Sequence, residues 1–132
     1  MTLTVTFLEF GEYSMKVSFT TPVANADGTP VDQTEASALV YFVLIDTVNP
    51  PVKSYQVPAA NIAAGTSNAD GSKTVTVVAE KDLPGFTLGA PGTSYFVAAE
   101  DEYGTNMSAA TGPVAYVVPF PTPSAPGNLS VS

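Results

Sequence analysis

Leu88-Gly89-Ala90-Pro91-Gly92-Thr93-Ser94-Tyr95-Phe96-Val97 decides the fold of this chain. Pro91-Gly92 is a turn dipeptide, because proline presets φ at one turn position and glycine takes positive φ at another without steric cost. The residues that follow alternate with a period of two, so the turn delivers Tyr95 into a strand that has one face toward a core. This fixes architecture and carries no activity.

Outward from that corner the same period recurs. Leu3, Val5 and Phe7 alternate with Thr2, Thr4 and Thr6 over residues 2–10, and Tyr13, Met15, Val17 and Phe19 alternate with Ser14, Lys16, Ser18 and Thr20 over 13–20. Two half-buried strands joined by a tight turn at Gly11-Glu12 are expected. Residues 38–46 are almost continuously apolar, which suits a central strand covered on both faces, or one whose outer face is occupied by a partner. Further strands are expected at 52–57, 73–80, 93–100 and 113–118. Ten glycines, twelve prolines and recurrent Thr, Ser and Val, without helical periodicity, agree with an all-β fold: a seven-stranded antiparallel β-sandwich. The 132 residues, 45% of them hydrophobic, suffice for one core, so residues 1–118 are read as one domain and 119–132 as an extended arm.

Several stretches resemble the fibronectin type III family. Ser14-Met15-Lys16-Val17-Ser18-Phe19-Thr20-Thr21-Pro22 is similar to that family's second strand, with Phe19 in the place of its core tryptophan. Residues 88–97 resemble its Leu-x-Pro-Gly-Thr-x-Tyr corner, with one extra residue between the leucine and the turn. The run from Tyr103 to Val114 resembles the Gly-x-x-Ser loop before its last strand. The resemblance covers roughly residues 2–118. It implies a divergent fibronectin-like or immunoglobulin-like sandwich.

Composition excludes much chemistry. The chain has no His, Cys, Trp or Arg, and its basic residues are Lys16, Lys53, Lys73 and Lys81. No Ser-His or Cys-His pair, imidazole or thiolate metal site, or guanidinium clamp is available. A net charge of −8 disfavours nucleic acid and anionic membrane surfaces as partners. No apolar run approaches the ~20 residues of a membrane-spanning helix. The opening residues carry no basic region followed by an apolar stretch, so the expected product stays where it is made. No enzyme activity and no cofactor are expected.

In chain order, the connections at about 22–37, 58–72 and 101–112 fall at one pole of such a sandwich. They are longer than closure requires, which marks this pole as the candidate binding surface. Asn25-Ala26-Asp27-Gly28 and Asn68-Ala69-Asp70-Gly71 repeat one turn sequence within it. Asp27, Asp32, Asp70 and the Glu100-Asp101-Glu102 run would supply oxygens to a calcium ion, but no known loop spacing is matched, and turn chemistry is the preferred reading. Glu100 and Asp101 would point to opposite faces, which argues against a glycosidase pair. Tyr103 and Met107 are expected to contact a partner, or to fold back on the sandwich edge.

Pro119-Phe120-Pro121-Thr122-Pro123-Ser124-Ala125-Pro126 cannot join a central sheet and reads as a linker. Leu129-Ser130-Val131-Ser132 repeats the pattern of Leu3-Thr4-Val5-Thr6. It is either the remnant of a tandem array or a strand that adds to a neighbour's sheet edge through Leu129 and Val131. The role expected is a non-catalytic structural protein of a phage virion, such as a capsid decoration or auxiliary capsid protein made in the host cytoplasm. Its partners would be capsid or tail subunits, or further copies of itself, with host surface glycans as additional targets. The alternative is an adhesion or carbohydrate-associated module of a larger extracellular protein.

Overall fold

The computed structural model describes residues 3–7, 14–127 and 130–131. Two antiparallel sheets enclose the core. The first contains, in spatial order, β1 (Leu3–Phe7), β2 (Met15–Thr20), β6 (Lys73–Val78) and β5 (Thr66–Ser67). The second contains β4 (Ser54–Gln56), β3 (Val40–Asp46) and β7 (Ser94–Tyr103), with β8 (Asn106–Met107) and β9 (Val114–Val117) also paired to β7. Three short helices interrupt the connections: α1 (Gln33–Ala38), α2 (Ala59–Ala63) and α3 (Ala79–Asp82).

The alternation in sequence becomes the alternation of faces. Met15, Val17 and Phe19 are fully buried while Lys16, Ser18 and Thr20 are not, and across the β2–β6 ladder Val17 faces Val77 and Phe19 faces Val75. Tyr41, Val43, Ile45, Tyr95 and Val97 close the core from the second sheet. Fully burying each Val, Ile or Phe side chain contributes ~1.5–3 kcal/mol, so the inner faces of both sheets contribute to holding the sandwich together. Leu3 and Val5 pack against this core only partly, on the edge strand β1.

Of the apolar run at 38–46, Val40–Asp46 is the centre of the second sheet, flanked by β4 and β7, whereas Ala38 ends α1 and Leu39 caps it. Its outer face carries Val40, Phe42, Leu44 and Asp46, outside the core cluster of Tyr41, Val43 and Ile45. Leu44 is set opposite Ala98, both are buried, and half-buried Phe42 and Phe96 stand one step along the face on either side.

At the corner, the Gly89 N–H donates to the Tyr95 hydroxyl at 2.8 Å. A Cβ at Gly89 would lie 2.8 Å from that oxygen and 2.7 Å from Thr93 Oγ1, so any other residue there would force Tyr95 and Thr93 to shift. Gly92 has φ +90°, as the Pro-Gly turn requires. Its N–H donates to Val118 O at 2.7 Å, and Val118 N donates back to Thr93 O at 2.9 Å, fastening the end of the last strand to the start of β7. Phe86 stacks edge-on against both Tyr55 and Tyr95, with centroids 5.6 and 5.9 Å apart.

Several expectations need correction. The strand expected at 93–100 continues to Tyr103, so the acidic triplet lies within β7: Glu100, Asp101 and Glu102 pair with Phe42, Tyr41 and Val40. The strand expected at 73–80 ends at Val78, where α3 begins. Two-residue strands β5 and β8 add to the seven expected, giving nine among the described residues. The turn at Gly11-Glu12 lies outside the described residues.

Candidate functional site

The ladders place the three long connections together. Thr20, at the end of β2, pairs with Thr74 near the start of β6, and Val40, at the start of β3, pairs with Glu102 near the end of β7. Residues 21–39, 57–72 and 103–112 therefore meet at one end of the sandwich, and two adjoining grooves open among them.

Each groove is bordered by one copy of the repeated turn. In the first copy Asn25 N donates to Thr29 O at 2.8 Å, Gly28 N donates to Asn25 O at 2.9 Å, and Asp27 Oδ1 accepts from the Thr29 N–H at 3.0 Å and hydroxyl at 2.7 Å. In the second, Asn68 N donates to Ser72 O at 2.8 Å, Gly71 N donates to Asn68 O at 3.1 Å, and Asp70 Oδ1 accepts from the Ser72 N–H at 2.9 Å and hydroxyl at 2.6 Å. Gly28 and Gly71 take φ +88° and +91°. The unit is thus five residues, Asn-Ala-Asp-Gly-Thr/Ser, closed upon itself. The hydroxyl and then the N–H of Thr29 hold the Asp27 carboxyl below the ordinary range against a small opposing effect of burial, and Ser72 does the same for Asp70.

Asp32 caps α1 by accepting the Glu35 N–H at 2.8 Å, and Glu35 Oε2 accepts from Asn25 Nδ2 at 3.0 Å. Asp32 thus caps the helix, and the Asn25–Glu35 bond ties it to the first turn. The hairpin β7–β8 forms the facing wall. Its tip turns at Gly104, φ +62°, and Ser108 N and Oγ bond Asp101 O and N at 2.8 and 2.9 Å. Tyr103 and Met107 are exposed at 41% and 47% on this hairpin.

One groove, about 710 Å³, lies between the 24–31 loop and the hairpin, and Asp27, Asp101, Tyr103 and Met107 all border it. The other, about 580 Å³, lies between α1 and α2 over Val57 and Ile62, and Asp70 borders it beside Lys73. Asp101 stands opposite Tyr41, at the top of the core. Burial raises the Asp101 carboxyl above the ordinary range, the Ser108 hydroxyl and the charge of the N-terminal ammonium oppose, and Glu35 adds a smaller upward effect. Tyr41 is pushed up to about 12 by burial and by the charge of Asp101.

Four of the residues singled out in the sequence therefore share one groove, and Asp70 borders its neighbour. Val131 is 91% exposed on the arm, distant in sequence from both grooves, and Leu129 lies outside the described residues. Among the described residues no group of three or more acidic side chains converges as a cation site. Glu35, Val31 and Leu39 are groove residues that the sequence reading did not single out; the Asp32-x-x-Glu35 cap was the signal for the first. Comparison with protein-family models, curated proteins and solved structures finds no match to this chain.

Proposed function

We propose that this chain is a non-catalytic interaction protein built on a divergent fibronectin type III-like sandwich, joining two neighbours through its opposite ends. The fold-family reading is supported by the sheet orders β1-β2-β6 and β4-β3-β7-β9, and by the Tyr95 hydroxyl returning to the backbone at Gly89, the arrangement called a tyrosine corner.

The observation that carries the functional reading is the separation of two contact surfaces. The grooves lie at the Tyr103 end of the ten-residue strand β7, whereas Val118 and the arm leave from its Ser94 end, tied to Gly92 and Thr93. At ~3.3 Å per residue these ends are about 30 Å apart. Residues 120–127 are exposed throughout, Phe120 at 74%. An open cleft at one end and an extended apolar-bearing arm at the other suit a connector. The setting we propose is the surface of a virus particle, where an accessory subunit grips the shell with one end and presents the other.

The test is the solution mass of the full chain and of a chain lacking residues 119–132, by light scattering over a range of concentrations. Self-association that disappears on truncation is the expected result, and a monomer in both forms removes the arm as an assembly device. A second reading has its own support: β1 starts at the groove end and the arm leaves at the other, as a bead in a tandem array requires. Coding sequence that continues into another such domain would favour that reading.

A further inference from the structure

We propose that Asp27-Gly28 is a site of spontaneous isoaspartate formation in the folded chain, and that Asp70-Gly71, the same dipeptide in the same turn, is protected by the burial of its hydroxyl clamp.

The chain holds two Asp-Gly dipeptides, at 27–28 and 70–71. Glycine leaves its peptide nitrogen unshielded by a side chain, which favours attack of that nitrogen on the preceding aspartate. The nitrogen bonds to Cγ, one carboxyl oxygen leaves as water with the carboxyl and N–H protons, and a succinimide ring remains. Water then adds to a ring carbonyl. Addition at the α-carbonyl breaks its bond to nitrogen, so the main chain now runs through Cγ and is one carbon longer. Water lost in the first step is regained in the second, and no other reactant is required.

In the closed turn both reacting groups are engaged. The Gly28 N–H is given to Asn25 O and Asp27 Oδ1 is held by Thr29, while the Gly71 N–H is given to Asn68 O and Asp70 Oδ1 is held by Ser72. Reaction therefore waits on local opening, and the two turns differ in what opposes it. Thr29 is exposed, and both its bonds to Asp27 lie where water competes for the same atoms. Outward, this turn is tied through Asn25 to Glu35 of α1, a helix with no buried residue. Ser72 is 5% exposed, and its Oγ also accepts from Asn68 Nδ2 at 3.0 Å, which in turn reaches Thr74 Oγ1 of β6 at 3.0 Å. The next residue, Lys73, exchanges bonds with Thr21 at the end of β2: its N–H donates to Thr21 Oγ1 and its carbonyl accepts the Thr21 N–H, both at 2.8 Å. Opening the second turn uncovers buried polar atoms beside a core strand, whereas opening the first moves surface loop. The extra carbon at Asp27 falls in a wall of the 710 Å³ groove and leaves the core alone.

The experiment ages the full chain in warm neutral buffer, cleaves samples after lysine, and locates isoaspartate by electron-transfer fragmentation of peptides 17–53 and 54–73, which carry Asp27 and Asp70. The same two peptides aged free are the unfolded reference. In the folded chain isoaspartate should accumulate at Asp27 about fivefold faster than at Asp70, the factor set by the net contribution of one hydrogen bond. In the free peptides the two rates should be equal. Ser72→Ala should raise the rate at Asp70 toward that at Asp27, and Thr29→Val, at an exposed position, should raise the rate at Asp27 toward that of its free peptide. Equal rates in the folded chain, a faster rate at Asp70, or no conversion at either site while the free peptides convert overturns the proposal. The same ratio in the free peptides also overturns it, because the preference then lies in local sequence. An unchanged rate at Asp27 in Thr29→Val removes the hydroxyl clamp as the gate, whether or not Ser72→Ala folds.

Discussion

Tyr95 spends its one polar atom on the Gly89 N–H, and the rest of the ring belongs to the core beside Phe86. Tyr95→Phe keeps the ring and leaves that donor without its acceptor, which should lower stability by ~1–3 kcal/mol in urea denaturation. Gly89→Ala meets the same hydroxyl and Thr93 at contact distances that require movement, so it should also destabilise, and the two effects should be less than additive in a double-mutant cycle. The carboxylates divide by sign. Asp27 and Asp70 are held low by their turns. Burial acts to raise Asp46, but the backbone N–H groups of Val52, Thr47 and Lys53 outweigh it and hold it low as well. Each of the three contributes stability that is present above the unfolded aspartate value of about 3.9 and is lost as pH falls through the lower folded value. Asp101 is raised, so its cost is present above its folded pKa and is relieved on acidification toward the unfolded value. Asp101→Asn should therefore stabilise the protein at neutral pH and remove the gain on mild acidification, as read by melting temperature against pH.

Among the elements, those with a long buried face were the legible ones. Met15, Val17 and Phe19 announce β2 because each occupies the inner face of a strand paired on both sides. Phe19→Ala, at the centre of that face, should cost ~3–5 kcal/mol by the same denaturation assay. The helices were not legible because six, five and four residues span too few turns to show a 3.6 period, and none of the three is strongly apolar on one side. Strand β7 was cut short in the reading because Glu100-Asp101-Glu102 has poor strand propensity, and the partner strand β3 overrides that preference. β5 and β8, at two residues each, exist through pairing with a longer neighbour and carry no pattern of their own. The candidate site was half visible. Turn chemistry named Asp27 and Asp70, and loop length named Tyr103 and Met107, but which of them share a groove depends on the order of strands across two sheets, which local sequence does not encode.

For the molecule as a whole, the arm leaves past Gly92, where a Cβ would come within 2.9 Å of the Phe120 ring, and among the described residues 121–127 are exposed. Removing residues 121–132 should therefore leave the melting temperature within a few degrees of the full chain, whereas truncation before Tyr116 and Val118, both buried, should abolish cooperative unfolding. Differential scanning calorimetry of the two truncations separates the cases. If the connector reading holds, the shorter deletion loses association while keeping its unfolding transition.

The two Asn-Ala-Asp-Gly-Thr/Ser turns have a consequence for how such a surface can change over generations. Each closes within five residues, and nothing lies within 4 Å of where a side chain at Gly28 or Gly71 would begin. The turns act as knots that tie off their loops, the first linked to α1 through Asn25 and Glu35 and the second to β6 through Asn68 and Thr74. Exposed residues beside a knot, such as Val23, Ala24 and Ser67, can be exchanged without disturbing the core. The same framework can then follow a changing target by rewriting only the cord between fixed knots.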